Sequence, residues 1–355
     1  MTTLCSLMLG MSFTACLEDD LEQPELPIEP ETYPAYILNE GLWGANNANI
    51  TRFYPQYKID NLSDFYQEMN GTKMGDVANA MMEEDDNIYV VLNGSKYVAR
   101  LDLLCMELAR YTFPEAEGAP RCIDVEDDYA YVTQYGGQVS KLHIEDMTLV
   151  GTFKGGDNLE GIVEKNGKLY VANSYKGINE YNKEVFVIDA KTMTLEKTIE
   201  VVENPTKIYE INDKIYLISA GNYEDVPGAL QIIDTQNNMV RTILNDVTKI
   251  TEGHNGVIYG VRSTYDENWQ LTNSFFLYSP KADEVSHTSF LKDAPSSFAT
   301  DAIYMLEVDE ETGFIYVGTS DYTTNGTIYQ FDQSGKFVQS FDSGGINPSA
   351  MIFVD

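Results

Sequence analysis

The chain has 355 residues and a formal net charge of −33, from 56 acidic and 23 basic side chains. That imbalance repels phosphate backbones and anionic lipid headgroups, which excludes nucleic-acid binding and adhesion through a basic patch. Apolar residues make up 43%, enough for a large core, and only three histidines occur, His143, His254 and His287, too few for a His-rich catalytic or metal cluster.

In chain order, residues 1–15 are small, apolar and uncharged. They read as the apolar region of a secretory signal peptide, and the stretch is shorter than the ~20 residues a membrane-spanning helix needs. No basic segment precedes it. Phe13-Thr14-Ala15-Cys16 resembles a bacterial lipobox with Phe13 where leucine is usual. The resemblance implies lipidation of Cys16, the alternative being cleavage before an unmodified cysteine. Residues 16–34 are acidic and carry Pro24, Pro27, Pro30 and Pro34, a composition suited to an extended tether rather than a core. An acidic run directly behind the cysteine resembles the surface-export signal of Bacteroidetes lipoproteins, which places the protein on the outward face of the outer membrane. With Cys5 in the signal and Cys16 lipidated, Cys105 and Cys122 remain. They are expected to be two buried thiols, a single bridge being the alternative outside the cell.

Residues 35–355 are repetitive. A short strand carrying a tyrosine recurs at Tyr36, Tyr89, Tyr131, Tyr170, Tyr216, Tyr259 and Tyr316, on average about 47 residues apart, close to the ~40–45 residues of a four-stranded propeller blade. Before each tyrosine strand lies an apolar strand and a polar turn. After it come a loop, a strand such as Val185-Phe186-Val187-Ile188-Asp189, and a more polar strand such as Leu195-Glu196-Lys197-Thr198-Ile199. Period-two alternation with β-branched and aromatic residues is a strand signal. The reading is an all-β, seven-bladed β-propeller of four-stranded antiparallel blades, strands A to D from the axis outward. The recurrent tyrosine in strand B is expected to be core. The chain starts in a strand B and ends on Asn347-Pro348-Ser349-Ala350-Met351-Ile352-Phe353, a strand A pattern, so the C-terminal strand should complete the first blade and close the ring.

Antiparallel meanders put the A–B and C–D turns on one face and the B–C and D–A connections on the other. The B–C connections vary in length, as binding loops on a rigid scaffold do. They hold Trp43 with Asn46 and Asn47, then Tyr97, Tyr135, Tyr175 with Asn179, Tyr223, Tyr265 with Trp269, and Tyr322. Each contains an aromatic flanked by Gly, Asn, Ser or Asp, and Trp43 and Trp269 are the only tryptophans. Rigid aromatics give contact area at little entropic cost, so these residues are the candidate ligand-binding set. The alternative for each tyrosine is packing against its neighbouring loop. The D–A connections around Gly155-Gly156-Asp157-Asn158, Val202-Glu203-Asn204-Pro205 and 293–298 should complete the rim.

No catalytic residues emerge. His143 falls in a C strand, His254 in an A–B turn and His287 in a D strand, all away from the loop face. No C-x-x-C, H-E-x-x-H or G-x-S-x-G motif occurs. No EF-hand-type loop is present either, although acidic loops leave a structural Ca²⁺ open. No catalytic cofactor is expected.

The lipoprotein start, the acidic tether, the segment ILNEGLWGANNANITRFYP and the seven Tyr-Val repeats resemble the BtuG-type vitamin B12-binding surface lipoproteins of Bacteroidetes, within the YncE-like propeller class. The resemblance implies capture of cobalamin and other corrinoids at the cell surface and delivery to a BtuB-type TonB-dependent outer-membrane transporter. Cobalamin would be cargo rather than cofactor. Two other readings stay open: a surface propeller for a glycan or protein partner, and a Ca²⁺-dependent propeller enzyme such as a lactonase or lyase.

Overall fold

The computed structural model describes residues 34–55, 61–253 and 256–354. The signal peptide, Cys16, the tether up to residue 33 and His254 lie outside the described residues. Strands pair into seven antiparallel sheets, the seven blades of a β-propeller, in the sequence expected from the repeat. Blade 2 shows the pattern: strand A Ala78–Glu84, B Asn87–Leu92, C Tyr97–Asp102 and D Glu107–Thr112. Six sheets have four strands in this order. In blade 1, C-terminal strand A (Pro348–Phe353) pairs with strand B (Ala35–Asn39), matching Ala35 with Phe353 and Leu38 with Ala350. Strand C (Asn49–Phe53) follows, and a single bridge from Arg52 to Leu62 stands where strand D runs elsewhere. A short helix α1 (Phe65–Asn70), absent from the repeat pattern, stacks Phe65 on Tyr36 at 5.7 Å between ring centres.

Blade faces bury each other. Tyr36, Leu38 and Ile50 of blade 1 form one apolar cluster with Ile88, Val90 and Leu92 of blade 2. Of the seven recurrent tyrosines, six are buried and Tyr259 is half-buried. Each buried ring contributes on the order of 2–3 kcal/mol by leaving water. Their hydroxyls differ. Tyr36 Oη donates to the Leu103 carbonyl in the next blade at 2.7 Å, whereas Tyr89 Oη finds no partner among the described residues. Tyr36→Phe should therefore cost ~1 kcal/mol and Tyr89→Phe should cost nothing or stabilise slightly, because a buried group left unpaired is the expensive case. Urea unfolding of the two variants side by side checks this; equal losses would refute it.

One irregularity recurs in all seven blades. Pairing between strands A and B skips one residue near the upper end of strand A, for example between Ala78 and Ala80, Pro205 and Lys207, and Val247 and Lys249. Equivalent shifts occur over Arg121–Cys122, Glu160–Gly161, Tyr304 and Ser349. A bulge places two residues against one and re-aims a side chain. Here it builds a ring of Asn79, Arg121, Glu160, Thr206, Thr248, Tyr304 and Ser349, all polar. The strand B carbonyl beside the bulge needs a new partner. Thr206 Oγ1 bonds Ile218 O at 3.2 Å, Thr248 Oγ1 bonds Val261 O at 3.4 Å and Ser349 Oγ bonds Leu38 O at 3.5 Å.

Cys105 and Cys122 are free thiols. Burial pushes Cys105 up to about 12 and Cys122 up to about 11, far from the thiolate range that reactive cysteines occupy.

Candidate functional site

The loop face carries exposed aromatics. Trp43 is 73% exposed and Trp269 76%, with Tyr223, Tyr265 and Tyr322 also exposed. Ring pairs continue the surface: Tyr265 with Trp269 at 6.2 Å, Tyr322 with Tyr304 at 5.9 Å, Tyr223 with Tyr181 at 5.9 Å and Tyr135 with Tyr175 at 6.1 Å. Tyr322 also senses the Tyr265 hydroxyl and Glu40; burial first, then these neighbours, raise its pKa. An arc of exposed and half-buried aromatics therefore spans blades 3 to 7, with Trp43 exposed on blade 1. Tyr181 and Tyr304 are members that the loop pattern of the sequence does not reveal, because they lie on strands.

Two connections differ from the sequence expectation. Residues 173–179 and 263–269 read as loops. Strand B instead continues to Gly177 in blade 4 and to Tyr265 in blade 6, so both connections are β-hairpins. Tyr175 pairs across the first hairpin with Tyr181, and Tyr265 across the second with Leu271. Alternation simply persists through the polar residues, and cross-strand aromatic pairs stabilise it. D–A connections brace these hairpins. Asn158 Nδ2 donates to Tyr175 O at 2.8 Å, and Asn273 Nδ2 donates to the Phe298 and Asp301 carbonyls at 2.9 and 2.7 Å.

Tyr97 is a correction. It opens strand C of blade 2, is only 3% exposed, and donates its hydroxyl to Met74 O at 2.5 Å with Arg110 over its ring at 3.9 Å. Its ring fills the core below the loop rather than facing solvent, so the arc has a gap at blade 2. Tyr135 and Tyr175 are half-buried. Tyr135 Oη donates to Glu160 Oε1 at 2.9 Å, Arg121 lies over the ring at 4.7 Å, and Arg121 pairs with Glu160 at 3.0 Å. Asn47 turns Oδ1 inward to accept from the Leu42 N–H at 2.9 Å, while Asn46 and Asn179 are exposed. Of the histidines, His143 ends a C strand, as expected, and His287 lies just past the short D strand Glu284–Ser286.

Left-handed backbone occurs at several of these residues. Tyr223, Trp269 and Tyr322 have φ of 61°, 58° and 63°, and Asn46 and Asn179 are also left-handed. Left-handed backbone suits asparagine but is an outlier for bulky side chains, costing roughly 1–2 kcal/mol. Polar turns hold it in place. Asp266 Oδ1 accepts from the N–H groups of Asn268 and Gln270, both at 2.8 Å. Asn222 Oδ1 accepts from Glu224 and Val226, and Asp321 Oδ1 from Thr323 and Thr324. The backbone donors lower the pKa of Asp266, and the Thr324 hydroxyl, donating to Asp321 Oδ2 at 2.7 Å, together with the backbone donors lowers that of Asp321. Such strain persists only where the surroundings over-determine it, and it concentrates at functional sites.

At the mouth of the axis, Tyr304 donates its hydroxyl to Glu40 Oε2, and Asn79 Nδ2 donates to Glu40 Oε1 at 3.4 Å. Among the described residues, no group of three His, Cys, Asp or Glu side chains is placed to hold a metal ion.

Residues 33–213 match the family profile described as "Domain of unknown function (DUF5074)". No curated protein matches the chain significantly. Among solved structures, the chain is similar to Kuenenia stuttgartiensis hydrazine synthase, at 17% identity and a TM-score of 0.56 over 70% of this chain and 74% of that one. It is also similar to a streptogramin B lyase (12% identity, TM-score 0.55, 75% and 82% covered) and to U3-55K (10% identity, TM-score 0.54, 75% and 81% covered). At these identities the likeness shows the β-propeller fold and leaves enzyme status undetermined.

Proposed function

Because this chain belongs to the DUF5074 family, which is defined without a function, we propose its role from the aromatic face: it captures cobalamin and related corrinoids. The observation that carries this reading is the set of exposed rings of Trp43, Tyr223, Tyr265, Trp269 and Tyr322 on one face, three of them on left-handed backbone. Large aromatics left exposed together on one face of a rigid scaffold are the kind of surface that binding uses. Holding it rigid lowers the entropy lost when a ligand docks. Cobalamin is broad, roughly planar and rimmed with amides, so tyrosine and tryptophan faces offer stacking while Asn46 and Asn179 offer amide partners. His143 ends a C strand on the opposite side of the ring, whereas His287 falls in the blade 6 D–A connection rather than in the D strand; in this reading the cobalt keeps its own lower ligand. The sequence of Cys16 and the acidic stretch behind it supports a lipid anchor on the outward face of the outer membrane, and the BtuG-type resemblance supports hand-over to a TonB-dependent transporter. In this reading the protein performs no catalytic step.

Calorimetry with cyanocobalamin at micromolar concentration should give saturable heat, with a change in the visible spectrum of the corrinoid. Silence in both would sink the proposal. A second reading, a protein or glycan partner with no small-molecule cargo, is favoured by Ile178, which is 94% exposed at the tip of the blade 4 hairpin. Ile178→Ser should abolish such a contact and leave cyanocobalamin binding within about twofold, so the two titrations separate the readings.

A further inference from the structure

Below the polar bulge ring lies an axial cavity of about 470 Å³. The strand register aligns one residue of each strand A at its upper level. Going round the ring these are Ala350, Ala80, Cys122, Gly161, Lys207, Lys249 and Met305. Five are small or apolar, so little side chain fills the space they border. The other two are lysines from adjacent blades, and both line the cavity.

Two ammonium groups so placed repel each other and need anionic company. Glu307 is the nearby carboxylate, and it accepts from Thr251 Oγ1 at 3.2 Å. Glu40 also acts on Lys249, but its oxygens are held by Tyr304 and Asn79. Arg121 is occupied by Glu160. Tyr209, Tyr304 and Cys122 face the same space and are neutral near pH 7, their pKa values raised first by burial. Glu210, paired with Lys165, and Glu252 and Glu310 also line the cavity. The chain carries 56 acidic side chains against 23 basic ones, yet two lysines from adjacent blades line its axial cavity.

We infer that a small oxyanion, a carboxylate, phosphate or sulfate, binds in the axial cavity between Lys207 and Lys249. Both ammonium groups donate to it. The protonated carboxyl of Glu307 supplies a further donor at mildly acidic pH. Charged hydrogen bonds of this kind are the strong ones. Burial and the neighbouring Lys207 hold Lys249 well below the usual lysine range, and burial lifts Glu307 to about 7. Rising pH through about 7 therefore charges Glu307, which opposes an anion. Binding should take up protons and weaken from pH 6 to pH 8.

The test uses the full chain and no corrinoid, so its failure is distinct from failure of the cobalamin reading. Sodium sulfate is titrated at pH 6 with chloride balancing ionic strength, followed by thermal unfolding and calorimetry. Sodium acetate and sodium phosphate are run in parallel to assign the preferred anion. The expected result is a saturable rise in Tm with sulfate, at least tenfold weaker binding in K207M and K249M, and no change in K191M, an exposed lysine. Calorimetry of the unmodified chain at pH 7 in two buffers of different ionisation enthalpy should show net proton uptake, a readout that needs no variant to fold. Equal Tm curves for sulfate and chloride, or undiminished affinity in a folded K249M, would overturn the site.

Discussion

Trp269→Gly is expected to leave the ring as stable as the parent to within ~1 kcal/mol while weakening cyanocobalamin binding about thirtyfold. Trp269 sits at φ 58° on the blade 6 hairpin, its N–H bonded to Asp266 O at 3.0 Å and its ring mostly in solvent. Glycine adopts that backbone freely, so the substitution relieves a steric cost of roughly 1–2 kcal/mol. It forfeits the ring contact with Tyr265 at 6.2 Å, worth about 0.5–1.5 kcal/mol, and the two effects nearly cancel. Loss of an aromatic anchor from a binding surface typically costs ~2 kcal/mol, which is the thirtyfold. Tyr97→Phe should behave in the opposite way. Its hydroxyl bonds Met74 O inside the core, so stability should fall by ~1 kcal/mol with affinity unchanged. Affinity by calorimetry and stability by urea unfolding, measured on both variants, test the separation. If Trp269→Gly kept parental affinity, the arc would not be the binding surface.

Deleting residues 346–355 should abolish the folded ring. That segment supplies strand A of blade 1. It pairs with Ala35–Asn39 and buries Met351 among Ala35, Ile37, Tyr316 and Ile328. Asn347 adds three links across the closure: its carbonyl accepts from the Glu40 N–H at 2.9 Å, its Oδ1 accepts from Ser320 Oγ at 2.6 Å, and its Nδ2 donates to Gly41 O at 3.2 Å. Without the strand, blade 1 keeps two strands, Tyr36 loses its cover and strand Ala35–Asn39 becomes an open edge. Five lost pairings and an opened apolar interface exceed the net ~5–15 kcal/mol by which a domain is stable. Size exclusion and far-UV circular dichroism of the truncated chain should report an expanded or aggregated species. A cooperative transition at the parental Tm would show that closure is dispensable.

The amino-acid sequence alone determined the architecture. A tyrosine strand every ~47 residues, the alternation around it and a terminal segment with the strand A pattern are local signals, and each blade repeats them. It also placed Trp43, Tyr223, Tyr265, Trp269 and Tyr322 on the loop face, because antiparallel meanders assign B–C connections to one side. Tyr97 misled because an aromatic at the start of a strand looks the same in sequence whether it points up into a loop or down onto Met74; the hydrogen bond that decides it joins residues 23 apart. Tyr181 and Tyr304 were hidden for the reverse reason: they sit on strands, and only the hairpin extension and the bulge turn them toward the site. The axial lysines belong to tertiary structure entirely. Lys207 and Lys249 are ordinary strand residues 42 positions apart, and nothing local says that two adjacent blades will bring both to one axial cavity. Periodicity encodes how strands pair, but which side chains converge on the axis is decided by seven blades meeting there and by the bulge in each innermost strand.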